Sequence, residues 1–282
     1  MRVVKLSGEV VDFNEHSLRK SLYNSGADVD EADRVFDIIY PKIYDLIPTK
    51  ELYALAFEEL KAIRNSFAAR YKLKRALQAL GPEGFYFEKW VTKIFLAQGF
   101  EAIHSQTIMG ASGVTHEIDI IAHNKEESLF CECKFRNDID SKISVTTPMY
   151  FKSRFDDIKV KTYAYFGKTI KPTRGFVITN AYFTTDSIKF AEYYQLNLLS
   201  WNYPKENNIK SLINEMGLYP ITTMTTLTDE EEQLMLSKNC LLVKEIVHNP
   251  TLLDHFKFPD KRKTVILQEA KELMEHKKNV NS

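Results

Sequence analysis

Cysteine is scarce in this chain, with three residues in 282. That excludes a small disulfide-built scaffold and points to a reducing, cytoplasmic setting. No apolar run approaches the ~18 residues that a membrane span requires, so no membrane association is expected. The N-terminus lacks the basic-then-apolar pattern of a secretory signal. An excess of either charge is missing too: Lys plus Arg and Asp plus Glu each number 38. A broadly basic surface that wraps a polyanion is thereby excluded, although a local basic patch is not. Internal repeats and low-complexity tracts are absent. With 44% hydrophobic residues, the chain can build real cores, and its length suggests one to three domains.

What is present concentrates between Glu117 and Phe135. Two short apolar runs, Glu117–His123 and Leu129–Phe135, flank the polar Asn124–Ser128 and read as a β-hairpin. Into them the sequence sets Asp119, Glu132 and Lys134. Strand side chains alternate, so Glu132 and Lys134 share one face while Cys131, Cys133 and Phe135 take the other. A carboxylate inside a sheet is costly unless it is paired or binds a metal. Asp119 and Glu132, with the backbone carbonyl of Cys133, could supply hard oxygen ligands to Mg²⁺ or Mn²⁺. Lys134 is then placed to orient or deprotonate a water, or to stabilise charge on a phosphate. The alternative is an edge hairpin with an ordinary Glu–Lys pair. Metal binding by the Cys131 and Cys133 thiols lacks a matching Cys or His pair.

Upstream, Phe87, Trp90, Val91, Ile94 and Phe95 mark one helical face closed by Gly99, with Glu88 at its border. A strand at Glu101–Met109 and a turn at Gly110–Gly113 precede the hairpin. A helix over Pro148–Phe166, a strand at Gly175–Thr179, a helix at Thr185–Tyr194 and a strand at Leu196–Trp201 follow it. Glu88, Glu117-Ile-Asp119 and Glu132-Cys-Lys134, in this element order, resemble the PD-(D/E)xK nuclease superfamily, and within it the Mrr-type restriction endonucleases. The resemblance covers Gly84 to Trp201. It implies an αβββαβ core, metal ligation by Asp119 and Glu132, catalysis by Lys134 with help from Glu88, and DNA as substrate.

Residues 1–82 read as a separate unit. Val3–Phe13 forms a hairpin turning at Ser7-Gly8, and Asn14 opens a helix to Asn24. Helices follow near Asp30–Ile47, Thr49–Ala62 (with Thr49 as N-cap) and Phe67–Leu80. This layout resembles the ATP-cone, a small regulatory module that senses ATP or dATP. The resemblance implies nucleotide contacts from Lys5, Asn14 and Thr49. The tip here reads Lys5-Leu6-Ser7-Gly8 where the family carries Lys-Arg-Asp-Gly, so a partner-contact role also stays open.

After the hairpin, Asp138–Ser144 reads as a polar loop. The next helix carries an apolar stripe of Phe151, Phe155, Ile158, Thr162 and Phe166. Its second stripe is Tyr150, Arg154, Asp157 and Lys161, a segment that resembles one in bacterial proteins joining an ATP-cone to a nuclease. Arg136, Lys152 and Arg154 are candidate DNA contacts, although Arg154 paired with Asp157 or Tyr150 is an equal reading. His116 is a candidate neighbour of the site. From Gly217, a linker leads to a Thr228-Asp-Glu-Glu231 capping box and helices at Leu241–Val247 and Val265–His276, with Lys277–Ser282 frayed. This layout resembles helix-hairpin-helix DNA-binding modules, but Ser237–Cys240 replaces the glycine turn, so packing or oligomerisation competes.

The expected organisation is mixed α/β and α: an ATP-cone-like domain (1–82), a nuclease domain (83–217) and a helical domain (218–282). The expected function is a metal-dependent endodeoxyribonuclease under ATP or dATP control, acting as a homodimer or higher oligomer. The alternative is a non-catalytic DNA-binding or nucleotide-sensing regulator on the same scaffold.

Overall fold

In a computed structural model, which describes residues 1–275, β1 (Arg2–Val4) and β2 (Val10–Asp12) pair antiparallel. Gly8, at φ +82°, supplies the left-handed backbone that their turn requires. Asn14 caps α1 (Glu15–Tyr23) by accepting from the Ser17 N–H, as its residue type suggests. An Asp28–Glu31 capping box opens α2 (Val29–Ile39). This helix stops well short of Ile47. Pro41 has no N–H to extend it, so a 3₁₀ turn (Tyr40–Lys42) follows. The chain then forms β3 (Ile47–Pro48), parallel to β1. Pro48 takes the N-cap position of α3 (Thr49–Ile63), so Thr49 is the first helical residue and caps nothing. The expected helix at Phe67–Leu80 is two pieces, α4 (Asn65–Tyr71) and α5 (Leu73–Gln78), divided at Lys72.

α6 (Phe85–Ala97) buries Phe87, Trp90, Val91, Ile94 and Phe95, the face its spacing marked. A five-stranded sheet follows, in the order β12-β10-β6-β5-β4. β4 (Glu101–Met109), β5 (Thr115–His123) and β6 (Ser128–Cys133) form an antiparallel meander. β6 is central and buried along its whole length rather than lying at an edge. β7 (Lys142–Ile143) interrupts the supposed polar loop. α7 (Thr146–Ile158) ends eight residues before Phe166. Thr162 and Phe166 are therefore not on a helical stripe. β8 (Tyr163–Tyr165) and β9 (Lys168–Ile170) make a hairpin through Phe166 and Gly167, both at positive φ. β10 (Arg174–Ile178) runs parallel to β6, and β11 (Tyr182–Phe183) pairs with β7. α8 (Thr185–Tyr193) leads to β12 (Asn197–Leu199), parallel to β10, and to α9 (Ile209–Met216), which ends on Gly217 at φ +62°. The apolar residues of α7 and the β-strands share one core around Phe130, Phe151 and Phe155. This mixed α/β arrangement fits a restriction-endonuclease-like core.

The C-terminal segment holds α10 (Asp229–Ser237), opened by the Thr228–Glu231 capping box, α11 (Val243–His248) and α12 (Asp260–Glu275). α12 starts five residues before Val265. His276 and the frayed tail lie outside the described residues. By packing, the chain divides into Leu77–Leu218 and a second unit built from Met1–Ala76 together with the segment from Tyr219 onward. The first and third expected segments thus pack together: Arg70 donates to the Leu273 carbonyl (2.7 Å) and Lys72 to that of Met224 (2.8 Å). Among the described residues, no helix is long and apolar enough to cross a membrane.

Candidate active site

The pairing register of β5 with β6 sets Ile120 against Cys131 and Ile121 against Phe130. One step further along, Asp119 falls opposite Glu132. Directly opposed residues on neighbouring strands share a face, here the face of Ile121 and Phe130 that α7 covers. The Asp119 Oδ2 accepts from the Cys133 N–H at 2.6 Å, where the two strands begin to part. Glu132 sits at the C-terminal end of β6, with its side chain 7% exposed.

Around these two residues lies a cleft of about 470 Å³, lined by Glu88 from the first turns of α6, Glu117 and Asp119 from β5, and Glu132 from β6. Cys133, Lys134, Phe135 and Arg136 follow, with Tyr150 and Arg154 from α7. Phe135 packs at a tilt against Phe87, with ring centroids 5.8 Å apart, and leaves no room at Gly81, where a Cβ would come within 2.6 Å of its ring. The four candidate residues Glu88, Asp119, Glu132 and Lys134 therefore meet in one place.

Both oxygens of Glu132 hold cations. The Lys134 Nζ donates to Oε1 at 3.3 Å and the Arg154 Nη1 to Oε2 at 2.6 Å. Arg154 also donates to the Glu117 carbonyl (2.7 Å) and the Tyr150 hydroxyl (2.9 Å). It makes no pair with Asp157. That carboxylate instead accepts from Ser112 and bonds His116 at 2.7 Å, which holds it down at about 2. His116 accordingly anchors the β4–β5 turn and does not line the cleft. Lys152 also lies outside the lining, bonded to Asp156 and set over the ring of Tyr194. Arg136 lines the cleft, with its N–H held by the Asn180 side chain. Lys5 pairs with Glu9 at 2.7 Å on the hairpin of the other unit, and Asn14 uses its carbonyl as a helix cap.

Burial, and then the carboxylates of Asp119, Glu132 and Glu117, push the Glu88 carboxyl up to about 7. Burial and Glu132 push Asp119 up to about 6, against the pull of the Cys133 N–H, Lys134 and Arg154. Burial pushes the Cys131 and Cys133 thiols well above the usual range, which favours the neutral form inside the sheet. Among the described residues, no group of three or more His, Cys, Asp or Glu side chains is placed to hold a metal ion. Two hard carboxylates still fit Mg²⁺, which commonly takes one or two and fills its remaining positions with water and phosphate oxygens. The Asp119 Oδ1, which accepts no hydrogen bond among the described residues, is a donor of that kind.

Glu117 was given no role by the sequence, yet it lines the cleft. Its signal was the two-residue spacing from Asp119, which sets both on one face of β5. The raised Glu88 carboxyl has a consequence for stability. Above its ordinary 4.5, the unfolded chain ionises Glu88 more readily than the folded one, up to about 7. The penalty is absent below the lower value, grows through the window and is complete above the higher. Glu88→Gln should therefore raise the melting temperature of chelator-treated protein at pH 8 but not at pH 4. After discounting for solvent screening the gain is about 1–2 kcal/mol. Equal melting curves for parent and variant at pH 8 would count against the clustered carboxylates.

The mixed parallel and antiparallel sheet, its flanking helices and the carboxylate-lined cleft are consistent with a restriction-endonuclease-like core. Residues 80–202 match the family model described as restriction endonuclease (Mrr_cat), and residues 219–274 match the model of the AF1548-like C-terminal domain. An uncharacterized protein of Archaeoglobus fulgidus is 29% identical over 134 residues, which cover 48% of this chain and 71% of that protein. The crystal structure of a protein of unknown function, AF1548, is similar with a TM-score of 0.55 at 25% identity, covering 68% of this chain and 98% of the other.

Proposed function

We propose that the Leu77–Leu218 unit is a divalent-metal-dependent endodeoxyribonuclease that hydrolyses DNA phosphodiester bonds by water attack. The observation that supports it is the convergence of Glu88, Asp119, Glu132 and Lys134 in one cleft. Asp119 and Glu132 would hold the cation, with the Cys133 backbone beside them. When bound, Mg²⁺ or Mn²⁺ supplies charge neutralisation at the phosphate and acidifies a water. The Lys134 Nζ reaches the same space and would donate to a phosphate oxygen or orient the attacking water. Glu88, with its carboxyl raised to about 7, can hold or release a proton near neutral pH. Arg136 and Arg154 offer guanidinium groups to the DNA backbone. Lys152 would contact only a strand that extends past the cleft. Cutting both strands of a duplex in one event suits two clefts, so the proposed active species pairs two or more copies. Supercoiled plasmid should be nicked or linearised with Mg²⁺ or Mn²⁺ and left intact with chelator.

The full engagement of Glu132 by Lys134 and Arg154 favours a second reading, a DNA-binding regulator that performs no hydrolysis. DNA binding that survives chelation, with no cleavage under any divalent ion, would select it. For the N-terminal sheet and helices we propose an ATP or dATP effector site near Lys5, Asn14 and Thr49, supported by the order of a β-hairpin followed by helices and not by the tip residues Leu6 and Ser7. A triphosphate would have to displace Glu9 from Lys5. At 100 times its dissociation constant, ATP or dATP should add about 2.7 kcal/mol, visible as a raised melting temperature. An unchanged melting temperature would leave this unit as a partner-contact module.

A further inference from the structure

We infer that Arg154 is the resident counterion of Glu132 and exchanges this carboxylate for a substrate phosphate when a divalent ion enters, so that metal and nucleic acid bind cooperatively. The inference rests on the nuclease reading of the cleft. Glu132 is 7% exposed and Arg154 13% exposed, so without a metal neither charge could stay there alone. A divalent ion held by Asp119 and Glu132 needs an oxygen that Arg154 now occupies, and its charge repels the guanidinium. Of the two cations on Glu132, Arg154 is the closer, at 2.6 Å against 3.3 Å for Lys134, and so is the one in the way.

The guanidinium is also incompletely used where it sits. Its Nε is buried and has no hydrogen-bond partner, while Nη1 serves two acceptors at once. A phosphate offers what this position lacks, two adjacent oxygens matching a planar fork of N–H donors. An outward path exists on α7 itself. Tyr150, one turn earlier and 61% exposed, holds the Arg154 Nη2 by its hydroxyl and presents its ring 4.9 Å from the guanidinium carbon. Arg154 can turn over that ring toward solvent without losing all its contacts. Reciprocity follows from linkage: a phosphate that draws Arg154 outward frees Glu132 for the ion, and the ion frees Arg154 for the phosphate.

The test is calorimetric titration of the full chain with Mn²⁺, alone and with a phosphorothioate duplex that resists cleavage. The duplex should tighten Mn²⁺ binding about tenfold, an ordinary size for coupling between sites. Arg154→Met keeps the aliphatic stem and removes the charge. It should bind Mn²⁺ alone about tenfold tighter than the parent, with the coupling to duplex gone. Parent-like affinity and undiminished coupling in Arg154→Met would overturn the exchange. If that variant fails to fold, Tyr150→Ala, which removes both the hydroxyl and the ring, gives the same decision: weakened coupling supports the exchange and unchanged coupling rejects it. A parent protein that binds no Mn²⁺ and cuts no plasmid rejects the nuclease reading itself. One that binds and cuts, with coupling preserved in the variant, rejects only the role of Arg154.

Discussion

Asp119→Asn should lower plasmid cleavage at least about a thousandfold, because a lost metal ligand removes roughly 4 kcal/mol of transition-state stabilisation. The fold should survive. The Asn carbonyl still accepts the Cys133 N–H that Asp119 accepts at 2.6 Å. The substitution also removes a carboxylate that burial and Glu132 disfavour, so melting at pH 8 should be unchanged or higher. Mn²⁺ affinity should fall together with the rate. Lys134→Ala makes the useful contrast, since it should slow cleavage while metal affinity is kept. Asp119 is a better probe than Glu132, whose removal strands Arg154 as an unpaired buried charge and confounds activity with stability. If Asp119→Asn and Lys134→Ala both cut as fast as the parent, the cleft is not where hydrolysis occurs.

Much of this cleft was legible because its parts are local. Glu132 and Cys133 end one strand, Lys134 follows directly and Asp119 lies in the hairpin neighbour, so the strand period and a single register decide that they meet. Helical spacing placed Glu88 only at the border of the buried face of α6, and the family resemblance gave it a place in the site. The partner of Glu132 was hidden because Arg154 sits 22 residues away on another element. The faces that meet there depend on how α7 packs on the sheet, which no local pattern encodes. Helix ends failed for the opposite reason, because local signals outweighed periodicity. Pro41 ended α2 early, and Phe166-Gly167 turned the continuation of α7 into a hairpin. In the N-terminal unit, the sequence places Arg70 and Lys72 on a helix and leaves their partners unspecified. Both donate to carbonyls of the C-terminal segment, contacts about 150 to 200 residues apart in sequence.

Glu269→Ala should be the most damaging stability change in the unit formed by the two chain ends. Glu269 lies on α12 at 1% exposure and accepts four hydrogen bonds. Its Oε1 takes the N–H (2.7 Å) and hydroxyl (2.8 Å) of Thr225, and its Oε2 takes the N–H (3.0 Å) and hydroxyl (2.6 Å) of Thr226. Truncation leaves two backbone and two hydroxyl donors facing a hole. With each stranded buried group costing about 1–3 kcal/mol, and water re-satisfying some, the expected loss is about 3–5 kcal/mol. Glu269→Gln should lose about half of that, since one carbonyl oxygen remains and the amide N–H₂ meets donors rather than acceptors. The two tryptophans, Trp90 and Trp201, both belong to the Leu77–Leu218 unit, so their fluorescence follows that unit alone in a urea titration. Circular dichroism follows both units. In Glu269→Ala the dichroism transition should therefore begin at lower urea than the fluorescence transition. Overlapping curves at the parent midpoint would show that the four bonds to Glu269 contribute little. Plasmid cleavage measured at the urea concentrations between the two transitions then tells whether the cleft works while the other unit is unfolded.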